Sequence, residues 1–190
     1  FNQDFPLSTK GLISQSSSVC INLYFHIVRE SDGSGGLDPM SIEGIIDNFN
    51  DKFNPVDIFV RNSGYSFIDD SSFYTSQYDP NTNQLVGFDS LIQQNSVSNA
   101  INYYLVNKIM YGNSGAVLSG IAEGVLSKNL MPPFAGAENG IIPIHELGHC
   151  LNLYHTHHGT FFENGDDPGQ CPENINGSNC STCGDYVCDT

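Results

Sequence analysis

The sequence is poor in positive charge. Its 190 residues contain only 6 Lys and Arg against 21 Asp and Glu, a formal net charge of −15, and no arginine follows Arg61. A nucleic-acid-binding protein needs a cationic surface to displace counterions from phosphates, so this function class is excluded. Binding to an anionic membrane surface is disfavoured for the same reason. The surplus of carboxylates suits divalent cations or cationic substrates instead.

Long apolar runs are also missing. No stretch approaches the roughly 18–20 apolar residues that a membrane-spanning helix requires, so we expect no membrane-embedded segment. The chain starts at Phe1 without the basic and apolar segments of a secretory leader, and we therefore expect that any leader has been removed. The length and the hydrophobic content of 39% predict a single domain with a real core.

Cysteines are few but clustered. Of the six, Cys171, Cys180, Cys183 and Cys188 fall within the last 20 residues. An even count clustered in an irregular segment indicates disulfides, and hence an oxidising, extracellular location. A four-thiolate zinc site is the alternative, although Cys180-x-x-Cys183 lacks the second close pair that is typical of such sites. The sequence therefore predicts a secreted protein.

Hydrophobic periodicity predicts an α+β fold. A β-rich run at 19–29 precedes a helix over 39–53, and a second long helix is predicted at 138–151. The other predicted strands lie at 57–61, 101–109, 115–124 and 125–128. Residues 62–99 are rich in Asn, Ser and Asp, which predicts a loop with one short helix. This order indicates a sandwich with one helix behind the sheet and the other in front of it.

Residues 145–155 carry the strongest chemical signal. His145 and His149 are four residues apart, so on a helix both imidazoles face the same side, about 6 Å apart along the axis, and can bind one zinc ion. Glu146 lies about 100° further round, beside the metal rather than on it. On a continuous helix His155 would face away, so we predict that the helix ends first and that the chain reverses at Asn152 in the left-handed conformation.

The pattern HExxHxxxxxH resembles the zinc signature of the metzincin metalloproteases. The sequence around His155-Thr156 and the segment GDYVCDT at 184–190 are similar to the pappalysin (cytophagalysin) family, which includes ulilysin. The resemblance implies a twisted, mainly parallel five-stranded sheet with a backing helix and an active-site helix, followed by an irregular tail that contains disulfides. It implies an upper subdomain over 1–155, ending in the zinc-binding helix, and the start of a lower subdomain over 156–190.

The resemblance also implies a function, that of a secreted zinc endopeptidase acting on proteins or peptides. His145, His149 and His155 would hold Zn²⁺, and Glu146 would be the general base toward the zinc-bound water. The strand near 115–122 would lie at the edge of the sheet and pair with an extended substrate.

A calcium site is a further implication, because related enzymes bind Ca²⁺ around the segment at 184–190. Transferred position by position, its ligands would be Asp185, the carbonyl group of Cys188 and Thr190. Hard oxygen ligands in an irregular loop are typical of Ca²⁺ sites. The acidic composition taken alone is equally compatible with a solvated loop.

Two departures from the family pattern affect these expectations. The usual glycine of the signature is Asn152, and all three methionines precede the zinc helix, so the family's methionine-containing turn is missing. We therefore expect that most of the lower subdomain lies beyond Thr190. A second hypothesis stays open, that of a non-catalytic metal-binding or adhesion module, although such a module has no use for Glu146.

Four other side chains offer alternative ligands. His157 and His158 directly follow the third histidine and could replace it if the turn runs differently, although solvated loop positions are expected. His26 lies among apolar neighbours in the first strand, which favours a buried structural histidine. Cys150 is expected to pack or to form a disulfide rather than to bind zinc.

Overall fold

The computed structural model describes residues 18–82, 84–122, 128–137, 140–160 and 170–188. In chain order the strands of these ranges are β1 (Val19–Arg29), β2 (Ile58–Asp69), β3 (Thr75–Asp79), β4 (Gln84–Leu85), β5 (Ile101–Leu105), β6 (Lys108–Tyr111), β7 (Ala116–Leu118), β8 (Ile121–Ala122) and β9 (Asn129–Met131). The helices are α1 (Ile42–Phe53), α2 (Ser71–Tyr74), α3 (Phe88–Asn95), α4 (Phe134–Ala137) and α5 (Ile141–Cys150). The predicted α+β class is confirmed.

The main sheet has five strands in the order β2-β1-β5-β9-β8. β1 runs parallel to β2 and to β5, and β5 runs parallel to β9, whereas the edge strand β8 is antiparallel to β9. Parallel neighbours need a crossover connection, and α1 supplies it between β1 and β2. The expectation of a mainly parallel five-stranded sheet is confirmed. Among the helices that the structure describes, none has the length and apolar character needed to cross a membrane.

Both long helices pack on the same face of this sheet. Alternate residues of β1, from Ile21 to Ile27, point into one buried cluster, as the period of two in a strand requires. The two long helices contribute Ile42, Ile45, Ile46 and Phe49 of α1 and Leu147 and Cys150 of α5 to that cluster. The prediction of one helix on each side of the sheet was therefore wrong, whereas the packing position of Cys150 is confirmed.

A second layer occupies the opposite face and explains this error. Four short strands form a sheet in the order β4-β3-β6-β7, and together with α3 they bury Val28, Tyr104 and Met131 of the main sheet. Because this layer takes the space on that face, α5 packs beside α1. The strands of the layer have two to five residues, too few for an alternating pattern to be recognised.

The predicted strand boundaries need three further corrections. The strand predicted at 57–61 is β2, which continues to Asp69 and so occupies the first part of the segment that was predicted as a loop. The strand predicted at 101–109 is two strands, β5 and β6, which belong to different sheets, and the strand predicted at 115–124 is likewise divided between β7 and β8. Periodicity does not detect a change of sheet, because the side chains keep alternating across it. The strand predicted at 125–128 falls almost entirely outside the described residues.

A buried polar cluster joins β1 to β2 and β5. His26 is 1% exposed, with Nε2 3.0 Å from Oδ1 of Asn102 and Nδ1 3.2 Å from Oγ of Ser66. The same Oδ1 atom accepts the backbone N–H of Val97 at 2.7 Å, so the imidazole donates from Nε2 and accepts at Nδ1. Burial lowers the pKa of His26, which favours this neutral form. The interpretation of His26 as a buried structural histidine is confirmed.

Replacing Asn102 with alanine should destabilise the fold. The change leaves the donors of Val97 and His26 buried without this acceptor, and we expect the free energy of unfolding to fall by about 2–3 kcal/mol. Urea unfolding measures the effect. Gln93→Ala, at an exposed position of α3, is the control and should stay within about 0.5 kcal/mol. Equal stabilities of the two variants would contradict the role assigned to Asn102.

Candidate metal centre

Helix α5 carries two of the predicted ligands on its outer side. It begins after Gly140, and Pro143 fits its first turn because the backbone N–H groups there have no partner within the helix. The buried residues of α5 are Pro143, Glu146, Leu147, Gly148 and Cys150. His145 is exposed and His149 partly exposed, and their spacing of four residues places both imidazoles on one side of the helix.

The helix ends in a left-handed turn that reverses the chain. Asn152 has φ +74°, and the backbone N–H of Leu153 donates to the carbonyl of Gly148 at 3.0 Å, while that of Asn152 donates to the carbonyl of His149 at 3.0 Å. This pair of bonds is the Schellman motif, with asparagine in the position that usually holds glycine. The predicted reversal at Asn152 is confirmed, and it returns the chain toward the helix at His155.

The reversal brings three imidazoles together. Nε2 of His145 lies 3.1 Å from Nε2 of His149 and 3.2 Å from Nε2 of His155, and one ligand atom from each residue lies within 4.8 Å of the others. Zinc bonds of 2.0–2.1 Å in tetrahedral geometry hold two nitrogens about 3.3 Å apart. The two distances from Nε2 of His145 therefore fit a zinc ion shared with His149 and His155.

The hydrogen bonding of His149 also fits a metal ligand. Its Nδ1 atom lies 2.7 Å from the carbonyl oxygen of Leu153, so Nδ1 carries the proton and the lone pair of Nε2 faces the other two rings. Although His145 is exposed as a whole residue, partial desolvation of its imidazole lowers its pKa, and the nearby His149 and His155 lower it further. A lowered pKa favours the neutral imidazole of His145, the form that binds a metal.

Glu146 lies beside the three histidines, between α5 and the edge strand β8. It is 8% exposed, and its carboxylate accepts a hydrogen bond from the backbone N–H of Ala122 in β8. Gly120 makes this approach possible, since a Cβ atom there would lie 3.4 Å from Cγ of Glu146 and 2.8 Å from Cγ2 of Ile142. Burial raises the pKa of Glu146, and the charge of His149 and the bond from Ala122 oppose the rise.

The two histidines after the third candidate ligand do not join this group. The ring of His157 stacks on that of His155, with centroids 5.0 Å apart and planes 5° from parallel. The ring of His158 lies against Tyr154 at 4.5 Å. Over the described ranges, the group of His, Cys, Asp and Glu side chains placed to hold one ion consists of His145, His149 and His155.

The tail contains two disulfides, Cys171–Cys183 and Cys180–Cys188. The disulfide prediction is therefore confirmed in preference to the four-thiolate zinc site. Of the predicted calcium ligands, Asp185 accepts the backbone N–H of Val187 at 3.0 Å, and the thiol of Cys188 is oxidised. Thr190 lies outside the described residues, and the calcium site stays a prediction.

Two backbone groups of this centre were not predicted from the sequence. The Leu153 carbonyl follows from the turn chemistry at Asn152 and could have been anticipated from the Schellman pattern. The Ala122 N–H could not, because it comes from a two-residue strand far from α5 in the chain.

Comparisons with known proteins add little to this geometry. No protein-family model matches the chain, and no curated protein matches it in sequence. Among solved structures, the chain is similar to one chain of a chaperone-substrate complex, with a TM-score of 0.48 and 18% identity. The match covers 75% of this chain and 28% of the other. Similarity at this level carries no conclusion about function.

Substitutions of Asn152 test the left-handed turn. Asn152→Gly should keep zinc binding, with a free energy of unfolding unchanged or raised by up to about 1 kcal/mol, since glycine adopts positive φ without strain. Asn152→Val should lose about 1–3 kcal/mol, because a β-branched residue is strained there. Thermal unfolding and a zinc titration measure both effects. Loss of zinc binding in the glycine variant would refute the turn's role.

Proposed function

We propose that this protein is a secreted zinc-dependent endopeptidase of the metzincin type, similar to the pappalysin family. The observation that carries the proposal is the convergence of three Nε2 atoms, at 3.1 and 3.2 Å, beside a buried carboxylate. Three imidazoles leave one position of a tetrahedral zinc ion for water or substrate, which is the arrangement of catalytic rather than structural sites.

The roles of the side chains follow from their positions. A zinc ion held by His145, His149 and His155 would act as a Lewis acid and lower the pKa of a water molecule. Glu146 would be the general base and acid, accepting a proton from the attacking water and returning it to the leaving amine. The hydrogen bond from Ala122 holds the carboxylate in place, and the imidazole of His149 is oriented by the Leu153 carbonyl.

The edge strand β8 supports a role in substrate binding. β8 is the last strand in the order of the main sheet, and its residue Ala122 contacts Glu146. An extended peptide that adds to such an edge forms backbone hydrogen bonds along its length. Its scissile bond would then lie next to the general base. The net charge of −15 favours association with cationic rather than acidic substrates.

The buried state of Glu146 favours an enzyme over the alternative of a non-catalytic metal-binding module. Removing a carboxylate from water costs folding free energy, and metal binding through three imidazoles does not require it. Catalysis does require a proton acceptor at this place. The same proposal includes the division into subdomains. Residues 1–155 form the upper subdomain, and residues 156–190 form the beginning of the lower one.

The extracellular location and the calcium site complete the proposal. Two disulfides in one short tail are typical of proteins that fold in an oxidising compartment. Calcium ligation by Asp185, the Cys188 carbonyl and Thr190 is carried over from the family resemblance alone.

Zinc binding itself is the first test. We expect the full chain to bind one equivalent of zinc that a chelator removes, and His155→Ala should weaken binding by at least about 100-fold because it removes a ligand. His157→Ala is the matched control and should weaken binding by no more than about 10-fold, the range of an aromatic contact, since its ring stacks on a ligand without joining the group. Zinc competition against a chromophoric chelator gives the affinities. The reverse order of the two variants would show that the third ligand is misassigned.

Glu146→Gln separates catalysis from metal binding. The amide keeps the shape of the side chain but cannot accept the proton, so we expect peptide cleavage to fall by about 10²–10⁴-fold with zinc still bound. Glu43→Gln, an exposed carboxylate on α1, is the control and should leave the rate unchanged. Cleavage of a fluorogenic peptide library reports the rates. Full activity of Glu146→Gln, or cleavage by the metal-free chain, would contradict the mechanism; zinc binding without any cleavage by the wild-type chain would favour the non-catalytic module.

A further inference from the structure

The third candidate ligand lies on a loop and needs support of its own. His145 and His149 are fixed by α5, whereas His155 follows the turn at Asn152 and belongs to no helix or strand. A loop ligand reaches the metal only in those molecules whose loop has the binding conformation. Contacts that stabilise this conformation therefore raise the apparent metal affinity.

The disulfide-closed tail (residues 171–188) contacts this loop first through its backbone. The N–H of Cys171 donates to the carbonyl of Gly159 at 3.0 Å, and the N–H of Gly184 donates to the carbonyl of Cys171 at 2.9 Å. Gly159 is buried with φ +74°, and a Cβ atom there would lie 2.7 Å from the carbonyl oxygen of Cys171. Only glycine permits this approach. Within the tail, the disulfide between Cys171 and Cys183 joins the residue that contacts Gly159 to the residue that precedes Gly184.

The second contact is aromatic and lies next to the ligand. The ring of Tyr186 meets that of Tyr154 edge-on, with centroids 5.2 Å apart, and lies 5.9 Å from that of His158. Tyr154 immediately precedes His155 in the chain. The tail thus touches the loop on either side of the third histidine.

The backbone conformation of Tyr186 indicates that the surrounding structure imposes this contact. Its φ is +63°, a left-handed conformation that costs an aromatic residue free energy and persists only where the surrounding structure imposes it. Here the neighbouring Cys183 and Cys188 both belong to disulfides. Together they hold a short segment from which the ring reaches the loop.

We propose that the tail positions His155 for metal binding, with Tyr186 as the positioning residue. The proposal rests on the metal centre of the proposed function and is independent of peptide hydrolysis. It assigns the disulfides a role beyond the stability of the tail, since they preorganise the one ligand that α5 does not hold. Metal affinity should then depend on the ring of Tyr186, which is not itself one of the three candidate ligands.

Cobalt binding to the full chain tests the proposal without any activity assay. Co²⁺ in a tetrahedral site gives intense visible absorption bands, which report geometry as well as occupancy. We expect Tyr186→Ala to bind Co²⁺ about 3- to 10-fold more weakly, the range of an aromatic pair, with weaker or shifted bands. Tyr186→Phe keeps the ring and should restore both. Ile175→Ala, 99% exposed in the same tail, should change neither.

Two further variants separate the ring from the backbone. Tyr186→Gly relieves the positive φ but lacks the ring, so it should bind as weakly as Tyr186→Ala. Tyr154→Leu removes the ring from the other side of the contact, and a double-mutant cycle with Tyr186→Ala should be non-additive. If Tyr186→Ala does not fold, as judged by metal-free circular dichroism, Tyr154→Leu alone should show the 3- to 10-fold loss expected of an aromatic pair.

The outcomes distinguish this proposal from the proposed function. Unchanged cobalt affinity and bands in Tyr186→Ala, or full affinity in Tyr186→Gly, would overturn the positioning role while leaving the metal centre intact. A wild-type chain that binds no cobalt would overturn both. The expected loss of affinity in a chain that cleaves no peptide would support the positioning role and count against the peptidase.

Discussion

The reversal of the chain at Asn152 is the constraint on which the candidate metal centre depends. Two backbone hydrogen bonds close the end of α5, and the same turn directs the Leu153 carbonyl to Nδ1 of His149. This one turn therefore ends the helix, returns His155 to the other histidines and sets the tautomer of His149. Asparagine fills the position because its short polar side chain tolerates a positive φ.

The packing of α5 determines what lies next to the histidines. The second layer occupies one face of the main sheet, so α5 packs beside α1 on the other face. This places Glu146 against the edge strand β8 rather than in water. The cost of burying its carboxylate is offset in part by the N–H of Ala122. A strand of only two residues thus connects the buried carboxylate of Glu146 to the edge of the main sheet.

The tail shows how a small amount of irregular structure can serve a site. It has no helix or strand among its described residues, and most of those residues are exposed. Its order comes from two covalent closures and from contacts with the loop that follows α5. Disulfides limit the conformations of the unfolded chain, so a segment too short for a core can still present Tyr186 in a fixed position.

Local features of this protein were determined by the sequence itself. The spacing of His145 and His149, the turn at Asn152, the clustered cysteines and the α+β class all follow from helix geometry, backbone preference and composition, which act over a few residues. The second sheet, the shared face of the two helices and the bond from Ala122 to Glu146 were decided by the tertiary structure. Each joins segments that are distant in the chain and too short or too irregular to carry a periodic pattern, so only their packing together reveals them.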